Sequence, residues 1–317
     1  MSAETLPYLS RATCESLGLR ATDVIEMTER LILGAAAGRV WNAPKSVVMP
    51  GDGRYLMATL SAAEDPPLMA VKSLGLNPKN SGRGLPQINA VVALHDADTG
   101  VPVAIVEGNW VTELRTAGLS AVAARYLARA DSRVAAFIGC GAQARSHLDA
   151  FRQMFPLAEV RAMGRGTANR DRFCADARAS GLAAVACDDA ESAVRGADIV
   201  VTSVTLSYDT EPFIDARWLK EGAFAAITDL GIPWLDEGMD FFDRIVIDDL
   251  EQERKMEKPL VATSLIDGDI TGLVTGSLAP RQGDAERTAF VFRGLALGDL
   301  ALAALAWQRW RERGARP

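Results

Sequence analysis

The segment richest in chemistry is Gly139, Cys140, Gly141, Ala142, Gln143, Ala144. It lies between an apolar run, Val134–Ile138, and a stretch that puts Ala144, Leu148, Phe151 and Phe155 on one helical face. The first glycine allows a tight turn, the second lets backbone approach a pyrophosphate, and small Ala144 lets the helix pack closely on the strand. The exposed N–H groups and positive dipole at the helix start suit phosphates. This strand, loop and helix setting predicts a dinucleotide site built by Gly139, Gly141, Ala142 and Gln143, with Thr205 joining them after a later strand. The end of the next apolar run selects the dinucleotide, because a carboxylate there binds ribose hydroxyls and repels a 2′-phosphate. Here the residues are Met163, Gly164, Arg165, Gly166 and Thr167, with no carboxylate. Arg165 suits a phosphate and Thr167 can donate a hydrogen bond, so NADP(H) is expected over NAD(H). The plain alternative is an Arg165 that stacks on adenine or faces solvent.

Other chemistries find little support. The two histidines, His95 and His147, are expected in structural or surface roles. Cys14, Cys140, Cys174 and Cys187 show no C-x-x-C pairing, so they read as free thiols in a reducing compartment, and no metal site is expected. A net charge of −7 with scattered acidic residues argues against a nucleic-acid partner. The stretch Met1 to Arg20 lacks the order of a signal peptide, and no apolar run reaches the ~18 residues of a membrane span. A cytoplasmic protein without membrane contact is the expectation.

Several elements must position the glycine loop. The 317 residues suffice for two domains at roughly 150 residues each. Between Arg133 and Asp249, β-branched runs alternate with helical stretches, as parallel strands and crossover helices do. The strands are Val134–Ile138, Glu159–Met163, Ala183–Ala186, Asp198–Ser203, Ala223–Thr228 and Arg244–Asp248, and they predict a doubly wound sheet. Asp188 with Glu191 resembles a capping box, and Asp215 caps the turn at Trp218. Leu119, Val122, Ala123, Tyr126 and Leu127 predict a helix led by Thr116, which places Arg115 at its start. Earlier runs at Ser46–Met49, Tyr55–Ala58, Leu68–Lys72, Ala90–Leu94 and Val103–Val106 predict an antiparallel or mixed sheet. A helix at Asp23–Ala37 precedes it, and the apolar helix after Gly298 is expected to return to it.

Lys72, the run Leu114, Arg115, Thr116, and the glycine loop roughly twenty residues later resemble the ornithine cyclodeaminase and mu-crystallin family. The likeness runs from about Gly38 through Asp299 and includes Leu85, Pro86, Thr99, Gly100, Thr112, Phe290, Gly294 and Gly298. It implies an α/β fold: a Rossmann domain, residues 118–295, inserted into an α+β substrate-binding and dimerisation domain, residues 1–117 plus 296–317, in a homodimer. It further implies hydride transfer at the α-carbon of a small amino or imino acid, by an imine reductase or amino-acid dehydrogenase. A cyclodeaminase that releases ammonia without net cofactor turnover is the alternative, as is a non-catalytic NADPH-binding protein. The resemblance makes Arg115 and Lys45 the substrate-binding residues, and Lys72 and Asp229 the catalytic ones. A guanidinium matches a carboxylate through two parallel hydrogen bonds. A lysine ending an apolar strand can be buried, with its pKa lowered into the range of proton transfer.

Two departures stand out. Lys45 occupies a segment where the family usually carries arginine, which keeps the charge and loses the fork. The family's aspartate lies in a Gly-x-Asp-x-Pro run, whereas this chain reads Thr228, Asp229, Leu230, Gly231, Ile232, Pro233, Trp234. Either Asp229 serves from a shifted position, or alignment on Pro233 puts Gly231 there and leaves no acid. Trp234 either lines the pocket or packs as an ordinary aromatic.

Overall fold

Alternation of buried and exposed side chains builds the first sheet, and near-continuous burial builds the second. The computed structural model describes residues 6–207 and 209–314; residues 1–5, where the N-terminal stretch read for a leader begins, lie outside the described residues. The chain divides into two compact units, Met1–Arg115 with Leu295–Pro317, and Thr116–Gly294.

The first unit contains β1 (Tyr8–Leu9), α1 (Arg11–Ser16), α2 (Ala21–Ala36), β2 (Val40–Asn42), β3 (Ser46–Val48), β4 (Tyr55–Glu64), β5 (Pro67–Leu76), β6 (Ile88–Asp96) and β7 (Pro102–Glu107). The sheet runs β1-β7-β6-β5-β4-β2, with β3 also on β4. All pairs are antiparallel except β1 with β7. One face is inward: Thr59, Ser61 and Ala63 on β4, Ala70, Lys72 and Leu74 on β5, Val92 and Leu94 on β6 are all buried. The C-terminal helix, Ala296–Glu312, packs on this sheet and on α2, as expected from its position in the chain. Its residues from Ala296 through Ala306 are buried on every side, which explains why it is apolar all round. The opposite face of the sheet leaves Val48, Leu56, Leu60 and Val91 exposed at 67%, 54%, 41% and 43%, an apolar surface facing solvent.

Helix α3 spans Gly108–Leu127. The expected start at Thr116 is therefore corrected: Arg115 is well inside the helix, and the dipole at a helix start does not act on it. The actual cap is the Glu107 carboxylate, which accepts from the Asn109 and Trp110 N–H groups at 3.1 and 2.7 Å. Glycine is required at 108 because a Cβ there would lie 2.4 Å from the Ala90 carbonyl carbon of β6.

The second unit holds β8 (Val134–Ile138), α4 (Ala142–Met154), β9 (Glu159–Met163), α5 (Thr167–Ala179), β10 (Ala183–Ala186), α6 (Ala190–Val194), β11 (Ile199–Thr202), β12 (Phe224–Ile227), β13 (Arg244–Ile247), α7 (Leu250–Glu253), β14 (Ile266–Asp269), α8 (Ile270–Thr275) and β15 (Thr288–Val291). The sheet is parallel throughout, in the order β10-β9-β8-β11-β12-β15-β13-β14. The six expected strands are present. Two more, β14 and β15, were not foreseen, and β15 separates β12 from β13. β14 carries two aspartates and a glycine at the sheet edge, so it has no apolar run that marks a strand. The cap of α6 is Asp189, accepting from Ser192 N–H at 2.7 Å, one residue beyond the Asp188 expected.

His147 of α4 is fully buried, donating from Nδ1 to the Gln143 carbonyl at 2.8 Å and accepting at Nε2 from the Ser120 hydroxyl at 2.9 Å. Burial pushes its pKa down from 6.5 to about 4. The neutral ring therefore stabilises the fold fully above the ordinary histidine value, and this contribution fades as pH falls from about 6.5 towards 4. Urea denaturation should show wild type losing roughly 2 kcal/mol more than His147→Phe between pH 6.5 and 4.5. Parallel losses in the two proteins would contradict this role.

Candidate active site

Strand β5 carries a single charge, Lys72, whose side chain points to the inward face and is 1% exposed. An ammonium so placed needs a counter-charge, since an isolated buried ion costs several kcal/mol. Asp299, in the first turn of α9 (Ala296–Glu312), supplies it: Lys72 Nζ donates to Oδ1 at 2.6 Å. Thr59, directly opposite Lys72 on β4, donates its hydroxyl to Oδ2 at 2.9 Å. Arg115, one side of α3, brings Nε to 3.3 Å from Oδ1, with its side chain 13% exposed. Lys45, half-buried between β2 and β3, acts electrostatically on Lys72. Burial lowers the Lys72 pKa to about 8; Asp299 opposes the shift, while Arg115 and Lys45 add to it. Two of the expected residues, Lys72 and Arg115, thus meet at one carboxylate, and Lys45 lies near enough to act on the charge of Lys72. Asp299 and Thr59 were not foreseen as members. The signal was present: one acid inside the apolar run Leu295–Ala306 must be paired if that helix is buried.

In the second unit, β8 ends at Gly139, whose φ is +95° and whose added Cβ would lie 2.5 Å from the Ser203 carbonyl oxygen. Only glycine allows this approach of the β8 and β11 ends. Gly141 is the N-cap of α4, makes no side-chain cap, and has open space where a Cβ would project. Arg145 donates to the carbonyls of Cys140 and Gly141, each at 3.3 Å, and so steadies the turn. Its buried Nη2 has no hydrogen-bond partner among the described residues. The open cradle, the uncapped N–H groups and this donor fit a dinucleotide's pyrophosphate. Ala142 and Gln143 form the first turn of α4. Arg165 and Thr167 are exposed around Gly166, the N-cap of α5, where no side chain caps and no acid stands in the first turn. Thr205 is exposed beyond β11.

Asp229, beyond the end of β12, is 1% exposed. Its Oδ1 accepts from the Thr202 hydroxyl at 2.9 Å and its Oδ2 from the Val204 N–H at 3.0 Å. Burial raises its pKa to about 6. The Trp234 indole N–H donates to Thr202 at 3.2 Å, and the ring, 1% exposed, packs on Phe242. Of the two readings of Trp234, the packed aromatic is the one observed. Gly231 has φ +74°, and a Cβ there would lie 3.0 Å from the Leu260 carbonyl oxygen, so this turn is shaped for glycine.

A doubly wound parallel sheet with a phosphate-ready glycine turn defines a dinucleotide-dependent enzyme. Comparison with known proteins narrows the class. The pattern of the Ornithine cyclodeaminase/mu-crystallin family matches residues 10–314, and the chain belongs to that family. It is 31% identical to alanine dehydrogenase of Archaeoglobus fulgidus over 317 residues, covering 96% of this chain and 95% of that one. It is 29% identical to ketimine reductase mu-crystallin of Rattus norvegicus over 260 residues, 80% of each chain. The structure of Thermococcus litoralis Delta(1)-pyrroline-2-carboxylate reductase in complex with NADH and L-proline superposes with a TM-score of 0.90 at 27% identity, covering 98% of this chain and 99% of that one.

An acid placed at position 231 should meet the steric limits of the turn. Gly231→Asp is expected to lower stability by about 1 kcal/mol or more in urea denaturation. An unchanged midpoint would show that the turn has room for the family's carboxylate.

Proposed function

We propose that the chain catalyses nicotinamide-dependent hydride transfer at the α-carbon of a small amino or imino acid, as an imine reductase or amino-acid dehydrogenase. The observation that carries this reading is the buried group of Lys72, Arg115 and Asp299 with Lys45 beside it, a positively charged receptor for a small carboxylate. The relatives named alanine dehydrogenase and ketimine reductase, and the reductase that holds NADH and L-proline, support the same chemistry.

The nicotinamide, when bound, supplies or accepts the hydride. Arg115 binds the substrate carboxylate; its contact with Asp299 is made through Nε, so that contact does not consume the Nη edge, which suits a two-point grip. Lys45 adds attraction without a fork. Lys72 transfers the proton at the substrate nitrogen, and a pKa of about 8 lets it give and take a proton near neutrality. Asp229 was expected to assist at that nitrogen. Its oxygens accept from Thr202 and Val204, so it also positions the turn leading to Thr205, which reads as a cofactor contact. Gly139, Gly141, Ala142 and Gln143 accommodate the pyrophosphate.

For the second phosphate, Arg165 and Thr167 at the uncapped start of α5 favour NADP(H) over NAD(H), although the pyrroline-carboxylate reductase holds NADH. The protein acts as a homodimer: the exposed apolar face bearing Val48, Leu56, Leu60 and Val91 suits burial against a second copy. Four buried free cysteines support a cytoplasmic setting, and no helix among the described residues is long and apolar enough to cross a membrane.

Purified protein mixed with NADPH and a panel of cyclic and acyclic imino acids should consume nicotinamide absorbance with at least one of them. Ammonia release from ornithine with no cofactor consumption on any imino acid would establish the cyclodeaminase alternative. Arg115→Ala should raise KM for the imino acid roughly 10- to 100-fold while leaving cofactor affinity near wild type. Arg165→Ala should raise KM for NADPH roughly tenfold with that for NADH unchanged; equal effects on both cofactors would remove the preference argued here.

A further inference from the structure

We propose that Asp299 is a positioning residue of the site, one carboxylate that fixes the Arg115 guanidinium side-on and holds the Lys72 ammonium in its charged, oriented form. This rests on the reaction proposed above and adds a residue to it. Oδ1 accepts a hydrogen bond from Lys72 Nζ at 2.6 Å and lies at ion-pair distance, 3.3 Å, from Arg115 Nε, which makes no hydrogen bond, so one oxygen attracts both cations. Oδ2 is held by the Thr59 hydroxyl, which stops the carboxylate from rotating. At 2% exposure no water competes for these contacts, and the first turn of α9 adds the favourable end of its dipole.

The placement decides what the cations can do. Asp299 is an acid inside a helix buried on every side, and replacing a buried ion pair by apolar residues is often neutral or stabilising. Fold stability alone therefore gives weak reason for its presence, whereas preorganising two cations for an incoming carboxylate gives a direct one. Lys72 is faced by Asp299 from α9, by Arg115 from α3 and by Lys45 from the β2–β3 turn; its neighbours on the adjoining strands, Thr59 and Val92, are uncharged. Asp299 is thus the negative member of a group with three positive ones. Removing its charge makes protonation of Lys72 harder, because burial and two like charges then act unopposed.

The test uses full-length protein with lysines labelled by 13C at Cε, with the Lys72 resonance assigned through Lys72→Arg. Asp299→Asn should lower the Lys72 titration midpoint by about one pH unit or more. The alkaline limb of the pH profile for imino-acid reduction should move with it, and cofactor affinity should stay within about twofold. Asp299→Glu keeps the charge and displaces it by one methylene, so the titration should hold while KM for the imino acid rises roughly tenfold. If Asp299→Asn fails to fold, the glutamate variant decides. An unmoved Lys72 midpoint in Asp299→Asn, or a glutamate variant with wild-type KM, overturns the proposal. Absence of turnover with every imino acid sinks the reaction proposed above and leaves the Lys72 titration, which needs no substrate, to judge Asp299.

Discussion

A carboxylate cannot be buried in an apolar helix without cations to meet it, and the first unit is organised around that constraint. Asp299 is carried by α9, buried on every side from Ala296 through Ala306, and the inward face of the sheet brings Thr59 and Lys72 to it from adjacent strands. Cross-strand register is what makes this possible: a slip of one residue between β4 and β5 would turn Lys72 or Thr59 to the outer face. The early start of α3 at Gly108 adds the third partner, since it sets Arg115 in mid-helix beside the carboxylate. Assembling charges in a dry interior is costly, and the Lys72–Asp299 ion pair with the Thr59 hydrogen bond offsets part of that cost.

The second unit is governed by backbone geometry instead of charge. Gly139 lets two strand ends approach more closely than any side chain allows, and Gly141 leaves the start of α4 open. Asp229, Thr202 and Trp234 form a buried hydrogen-bonded chain that ties the ends of β11 and β12 together. Gly231 takes a left-handed conformation at the position where the family's aspartate would fall by alignment on Pro233. The departure from the family's pattern is therefore built into the turn.

Much of this was legible in the residues. The strand, glycine loop and helix at Val134–Ala144 announce their geometry locally, because each residue's role depends on its immediate neighbours. Lys72 and Arg115 became readable only through family resemblance, since a lone cation in a strand or helix is usually a surface group. Asp299 was read as part of the family's closing motif and not as a site residue, because an acid in an apolar run signals a buried partner without naming it, and Thr59 and Lys72 lie more than two hundred residues away. The start of α3 was misplaced because glutamate is an uncommon cap. The direction of Asp229 depended on hydrogen bonds from a neighbouring strand, which spacing cannot reveal.

On the function proposed, the carbon whose carboxylate these cations hold is the carbon that exchanges hydride with the nicotinamide. The most direct measurement follows an isotope: reduction of the fastest-turning imino acid with nicotinamide deuterated at the transferring C4 position, and mass spectrometry with NMR on the amino acid formed. One deuterium at the α-carbon is the predicted result. A product whose α-hydrogen comes from solvent, with the label retained on the nicotinamide, would contradict it.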